Sequence, residues 1–454
     1  MTTDPLATIR LDFTKEVGRI KPMHAVGQPP IQGWDNFTMF HYLKEAHIPY
    51  SRLHDTGGPF GKNLYVDIPN VFRDFDADVD DPASYDFAFT DLLLADMVKN
   101  GVEPFYRLGV TIENRASVRK YRIFPPKDFD KWARICEHVV AHYNEGWADG
   151  FHYGITYWEI WNEPDLDTDE DPEKSPMWCG TFDEYCRLYE VASKRLKARF
   201  PSIKVGGFAS CGFYAAEPGV ALRLRADNPD TPAGRRNAYR VACALTFLDF
   251  VRDKACPLDF FSFHSYAEPK EMMEQIGAIA LELERRGLDG VELILNEWMP
   301  GRSLKRTFTP ELAADIATVI VRGQHTRLDM LMIYDARIAA RNIYAPLFHP
   351  MTALPTRAYW AFFCFGELYR RGTEVLSAIE GDGESLSAVA ATDGADGALM
   401  LVNNGDEPRA LAFETNGARF RYGAATDADR MHELLTVCPD AIPPHAFMLL
   451  VFDR

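Results

Sequence analysis

Two glutamates close apolar runs in the same way. Tyr157-Trp158-Glu159-Ile160-Trp161-Asn162-Glu163-Pro164-Asp165 is aromatic and β-branched up to Trp161, then turns polar and meets a proline. Val291-Glu292-Leu293-Ile294-Leu295-Asn296-Glu297-Trp298 is again an apolar run that ends in Asn-Glu. Such a run reads as a strand buried on both faces, and Pro164, with no N–H for a ladder, ends the first one at Asn162-Glu163. Carboxylates on the last residues of inner strands are held rigidly at the C-terminal edge of a parallel sheet, where α/β barrels place their chemistry. Two of them on one rim suit glycoside hydrolysis: one carboxyl, kept protonated, donates to the departing oxygen while the other attacks the anomeric carbon or activates water. A separation of ~5 to 5.5 Å selects double displacement, and ~6.5 to 9.5 Å leaves room for water and inversion. A single strand-end glutamate would more simply cap the next helix; the second one gives Glu163 and Glu297 their weight as catalytic candidates.

The elements that must carry this pair follow from the alternation of short apolar runs with amphipathic stretches. The pattern predicts strands at 23–26, 50–53, 103–108, 157–161, 204–208, 259–266, 292–296 and 330–334. Helices are predicted at about 36–46, 87–99, 128–143, 182–199, 270–286, 310–323 and 353–369, with further helical pattern after the fifth strand. Eight strand-helix alternations predict a (β/α)8 barrel over residues 21–371, an α/β fold with Glu163 on its fourth strand and Glu297 on its seventh. After Gly372 the texture changes to short strands at 386–391, 398–402, 410–414 and 447–452, broken by turns such as Asp393-Gly394 and Asn404-Gly405. Residues 372–454 are therefore expected to form a small antiparallel β-sandwich, joined by N-terminal strands from residues 1–20.

Composition bounds the partners. The chain has 454 residues, 47% hydrophobic, and its 49 basic against 66 acidic residues give a formal charge of −17. That balance disfavours nucleic acid and anionic membrane surfaces and suits a small oligosaccharide or glycoside substrate. The N-terminus lacks a basic start followed by an apolar run, and no window approaches the ~18 apolar residues of a membrane span. Eight cysteines without a C-x-x-C pair read as reduced core residues of a cytoplasmic protein. Asp165-Leu166-Asp167-Thr168-Asp169 suggests a calcium loop, but Glu170 stands at its glycine position and Pro176 at its bidentate-glutamate position. Phe208-Ala209-Ser210-Cys211-Gly212 lacks the first glycine of a nucleophile elbow, and His432-Glu433-Leu434-Leu435-Thr436 lacks a second zinc histidine. No metal or organic cofactor is implied.

The Trp161-Asn162-Glu163-Pro164 motif with Glu297 resembles the clan of barrel glycosidases whose catalytic pair sits on strands four and seven. More narrowly, Ser51-Arg52-Leu53-His54-Asp55, Val205-Gly206-Gly207 and Phe260-Phe261-Ser262-Phe263-His264-Ser265-Tyr266 resemble glycoside hydrolase family 39, which contains β-xylosidases and α-L-iduronidases. The run from Thr181 through Glu184, Tyr185 and Tyr189 to Pro201 does so too, and the likeness covers most of residues 20–370. It implies that Glu163 is the general acid/base and Glu297 the nucleophile of a retaining mechanism, with the Glu163 pKa raised by the charge of Glu297. It further implies that Asn162 binds the sugar's 2-hydroxyl, that Tyr266 donates to Glu297, that His54 and His264 contact hydroxyls, and that Arg52 lies beneath the two carboxylates. Trp158, Trp161 and Trp298 would offer a pyranose a flat face or else belong to the core.

The chain departs from the family's β-xylosidases at the eighth strand, where those carry a tryptophan and a following acidic pair. Here the residues are Met330-Leu331-Met332-Ile333-Tyr334-Asp335-Ala336-Arg337. Arg337 would suit the carboxylate of a uronic acid, or would pair with Asp335 and touch no ligand. The leading expectation is a retaining exo-glycosidase for short β-xylosides or related pentosides. The alternatives are a glycosidase or transglycosidase for a uronide or arabinoside, and a non-catalytic carbohydrate-binding barrel.

Overall fold

The computed structural model describes residues 6–31, 39–54, 56, 66–111, 123–166, 177–214, 231–301, 303–338, 343–381 and 384–453. Asp55, the glycines of the 57–62 segment and the acidic 167–176 segment lie outside them. A long first strand, β1 (Leu6–Arg19), precedes a closed barrel of eight parallel strands. These are β2 (Ala25–Gly27), β3 (Tyr50–Leu53), β4 (Glu103–Leu108), β5 (Tyr157–Ile160), β6 (Lys204–Ser210), β7 (Phe260–Ser265), β8 (Glu292–Trp298) and β9 (Met330–Ile333). The helices are α1 (Phe40–Glu45), α2 (Ile68–Val71), α3 (Ala88–Lys99), α4 (Phe129–Glu145), α5 (Phe182–Arg199), α6 (Pro232–Asp253), α7 (Pro269–Arg285), α8 (Pro310–Gln324) and α9 (Arg357–Arg371). The expected barrel is present, with each strand within a few residues of its predicted place.

Local chemistry sets the helix starts. Thr181 and Glu184 close a reciprocal capping box on α5, and Asp128, Thr231 and Thr309 cap α4, α6 and α8 through their side-chain oxygens. Inside the barrel Ala25, Phe105, Tyr157, Phe260, Ile294, Met330 and Met332 form an apolar plug. Because side chains alternate along a strand, the next inward residues above that plug are Glu159 on β5, Ser262 on β7 and Asn296 on β8. The outer faces of the strands join the helices in a second, much larger core.

Two register shifts re-aim the upper ends of the strands. One extra residue enters β6 between Gly207 and Ser210, and another enters β8 between Leu295 and Trp298. The β8 bulge lets both Asn296 and Glu297 face the barrel axis and turns Trp298 outward.

The second unit is one nine-stranded sheet ordered β15-β14-β17-β12-β11-β10-β1-β13-β16. Its further strands are β10 (Thr373–Glu380), β11 (Leu386–Thr392), β12 (Asp396–Asn403), β13 (Arg409–Glu414), β14 (Arg419–Thr426), β15 (Glu433–Leu435), β16 (Ala441–Ile442) and β17 (Ala446–Asp453). Pairing is antiparallel except between β1 and β13. The rings of Phe413 on β13 and Phe452 on β17 lie 6.5 Å apart although four strands separate their own in the sheet order. In a flat sheet they would be about 24 Å apart, so the sheet curls over its own apolar face as a sandwich does. Its other face packs on α8 and α9.

Gly206 marks the tightest strand contact near the site: a Cβ there would fall 2.2 Å from the Phe260 carbonyl oxygen of the neighbouring strand. Gly206→Ala should therefore cost about 1–3 kcal/mol of stability, as overpacking does. Denaturant unfolding of the two proteins measures the difference, and equal midpoints would contradict the contact.

Candidate active site

Side chains from four barrel strands and the segments just beyond them meet at the C-terminal mouth. Arg52, only 1% exposed, is the hub. Its Nε donates to Glu159 Oε2 at 2.8 Å, Nη1 to Glu297 Oε2 at 3.3 Å and Nη2 to Asn162 Oδ1 at 2.5 Å. Glu159 is wholly buried and also accepts from Ser262 Oγ at 2.6 Å and from the Asn296 amide. Each carboxylate taken from water thus has charge and hydrogen bonds around it, the condition for burying it at all. Arg52 was expected beneath Glu163 and Glu297; its closest carboxylates are instead Glu159 and Glu297.

The paired glutamates come together. Glu163, His264 and Glu297 each contribute one ligand atom to a group whose members lie within 4.8 Å of one another. His264 Nδ1 shares a hydrogen bond with Glu163 Oε1 at 2.7 Å and sits 3.6 Å from Glu297 Oε2, while its Nε2 is buried without a partner among the described residues. The Tyr266 hydroxyl donates to Glu297 Oε1. Donor types alone would let this trio hold a divalent ion, but the guanidinium 3.3 Å from Glu297 Oε2 would repel one.

Burial raises the Glu297 pKa to about 7; His264 opposes the rise and the charge of Glu163 adds to it. Burial also lowers His264 to about 4, which keeps its ring neutral. Tyr266 is held far above the ordinary phenol range by burial and then by the charge of Glu297, so it remains a donor.

The remaining candidates divide. Asn162 turns its oxygen to Arg52 and has no protein partner for its amide nitrogen among the described residues, which leaves a donor for the cleft. His54, 4% exposed, lies within the fields of Arg107, Arg52, His264 and Arg337, and burial first and then those charges hold its pKa well below the usual value. Arg337 donates from Nε to Asp335 Oδ2 at 2.8 Å and forms the ion pair that its sequence neighbour allowed. Trp158 and Trp161 are core: their indole nitrogens donate to the carbonyls of Ile155 and Met177. Trp298, expected to offer a face to the sugar, is fully buried in the outer core because the β8 bulge turns it away from the mouth.

The sequence reading passed over several groups. Glu159 carried a signal, since a carboxylate in the middle of a strand buried on both faces needs a cation nearby. Arg107 and Asp67, both wholly buried and 2.7 Å apart, carried none, because Asp67 enters from a distant segment. Tyr344 packs edge-on against Tyr334 and tilted against Tyr266, and this gives the mouth an aromatic side.

The sign of the Glu297 shift makes a stability prediction. Its folded pKa, about 7, lies above the unfolded value of 4.5. The group therefore contributes its full stability below the unfolded value and loses it as pH rises through the folded one. Glu297→Gln removes that loss, so its advantage over the native chain should grow from pH 5 to pH 8, reaching about 2–3 kcal/mol. Calorimetric unfolding at both pH values checks this; a pH-independent difference would contradict it.

Comparisons with known proteins find relatives in both sequence and fold. The chain is 27% identical over 258 residues to a β-xylosidase of Geobacillus stearothermophilus, an alignment covering 54% of this chain and 43% of the relative. It therefore spans less than half the length of that relative. In fold it is similar to a glucosidase of Croceicoccus marinus (TM-score 0.76, 19% identity, 99% of this chain and 100% of the other). It is also similar to a monomeric β-xylosidase of Caulobacter crescentus (TM-score 0.67, 17% identity, 98% and 99% covered). The sequence pattern of glycosyl hydrolases family 39 matches residues 8–296, well over half of the chain, and the protein belongs to that family.

Proposed function

We propose that this protein is a retaining O-glycoside hydrolase that cleaves short β-xylosides or related pentosides from their non-reducing end. The observation that carries the reading is the spacing of the pair: oxygens of Glu163 and Glu297 lie within 4.8 Å of each other. An approach this close supports double displacement, whose two carboxyl groups stand ~5 to 5.5 Å apart.

In this reading Glu297 Oε2 attacks the anomeric carbon while Glu163 delivers its proton to the departing oxygen. The alcohol leaves and a glycosyl ester forms on Glu297. Positive charge developing on the sugar favours the ionised form of Glu297, the form that attack requires. Once Glu297 is esterified its charge is gone, and Glu163 becomes the base that takes a proton from water in the second step. Tyr266 and Arg52 hold Glu297 in line, and the Asn162 amide is free to donate to the 2-hydroxyl, a bond that strengthens in the transition state. His54 serves the glycone hydroxyls.

The xyloside assignment is supported by the β-xylosidase relative. A uronide is less favoured because the charge of Arg337 is already matched by Asp335. The eight cysteines form no disulfide among the described residues, which supports a reducing, cytoplasmic setting.

Glu297→Ala should lose activity by several orders of magnitude and recover part of it with azide, giving a glycosyl azide of inverted configuration. Glu163→Ala should keep far more activity on glycosides of activated phenols than on natural ones, because protonation of the departing oxygen is then dispensable. Undiminished activity of the first variant, or equal losses on both substrate types for the second, would refute the assigned roles. A panel of nitrophenyl glycosides differing only in glycone should show the β-xyloside cleaved fastest; another glycone at the top would displace the pentoside reading, and no cleavage at all would favour a binding barrel.

A further inference from the structure

Glu163 occupies an unusual backbone position, with φ at 44°. What holds it there is not the strand, which has ended, but the turn Glu163-Pro164-Asp165-Leu166. Leu166 N–H donates back to the Glu163 carbonyl at 3.1 Å, and Glu163 N–H donates across to Ala209 at 3.0 Å. Two charged side chains fasten this turn. Arg240, from α6, donates through Nη2 to the Leu166 carbonyl at 3.2 Å. Asp165 is fully buried and accepts from Ser210 Oγ at 2.6 Å and from the Cys211 N–H at 3.0 Å. Arg240 Nε is buried without a partner among the described residues, and the guanidinium lies within the fields of Asp165, Glu163 and Cys211.

We propose that Arg240 and Asp165 are a positioning pair for Glu163, clamping the turn that aims its carboxyl and supplying opposed charges that govern when that carboxyl releases its proton. The inference rests on the acid/base reading of Glu163. Among the described residues the groups facing Glu163 include His264 from β7, Glu297 from β8, Arg52 from β3, the Tyr266 phenol, the Cys211 thiol after β6, Asp165 in its own turn and Arg240 from α6. Arg52 is bound to Glu159 and Glu297 and His264 is neutral, which leaves Arg240, among the described residues, as the cation behind the acid. A cation there favours ionised Glu163 and an anion disfavours it. Burial raises Asp165 to about 6, so it is an anion over the alkaline side of the pH profile.

The test is the alkaline limb of kcat/KM on a benzyl glycoside of the glycone that the nitrophenyl panel identifies, where the departing alkoxide needs a proton. Arg240→Gln should move that limb up, and Asp165→Asn should move it down, each by about half a pH unit or more. Arg240→Lys, which keeps the charge but not the planar fork, should leave the limb in place while lowering kcat. A purely structural role would lower activity at every pH without moving the limb, and that result overturns the proposal. If Arg240→Gln does not fold, the direction of the Asp165→Asn shift decides: downward supports the pair, unmoved or upward refutes it. In Glu163→Gln on a dinitrophenyl glycoside the limb should vanish. A limb that persists there overturns the acid/base reading and the pair with it, whereas a limb lost there but unmoved in the other variants overturns the pair alone.

Discussion

The upper half of the barrel depends on one buried cation. Removing a carboxylate from water costs several kcal/mol even after relaxation, and the mouth buries both Glu159 and Glu297. Arg52 compensates them together, because a guanidinium presents donors in several directions within one plane and touches Glu159, Glu297 and Asn162 with different nitrogens. Lysine in that place, with one compact head, could not reach all three. The consequence is architectural as well as chemical. Arg52 comes from β3, Glu159 from β5, Glu297 from β8, and Ser262, which completes the Glu159 shell, from β7. A single network ties strands from around the ring, so the geometry of the reacting groups and the closure of the barrel are not separable.

Above that network the backbone leaves its regular paths. Trp161, Glu163 and Ala209 all have left-handed φ values, and an added residue bulges both β6 and β8. Each departure costs energy and persists only because the surroundings fix it. Gly109 illustrates the fit: with φ at +156° and a Cβ that would lie 3.1 Å from the Trp161 Cα, it lets the two strand ends approach closely at that turn. The gain is orientation. Without the β8 bulge, alternation would put Glu297 on the outer face with the helices and Trp298 on the axis.

How much of this can be read from the sequence follows from the same physics. All eight barrel strands were legible because strands covered on both faces are apolar throughout, and Glu163 and Glu297 stood out as polar residues ending such runs. Strands β10 and β14 were not, since a half-exposed strand such as Arg419–Thr426 mixes polar and apolar residues without a clean run. Register shifts are invisible to alternation, and so the sequence leaves open whether Trp298 faces the mouth or the core. Glu159 could have been found as a charge in a buried strand, whereas Arg240 could not, because only the fold brings α6 back over the turn after β5.

The long first strand sets the order in which the chain can finish folding. Arg10 of β1 reaches Glu380 across 370 residues and Glu414 across 404, on the two strands that flank it. At a ribosomal rate of about 5–20 residues per second, those partners emerge roughly 20 to 80 seconds after β1 does. Until then β1 has two open edges in the nascent chain, the kind of edge that invites pairing with another molecule. Its exposed C-terminal half carries Lys15, Glu16 and Arg19, charges that discourage such pairing during the wait. The terminal sheet is sealed around β1 only once β10 and β13 have both followed it.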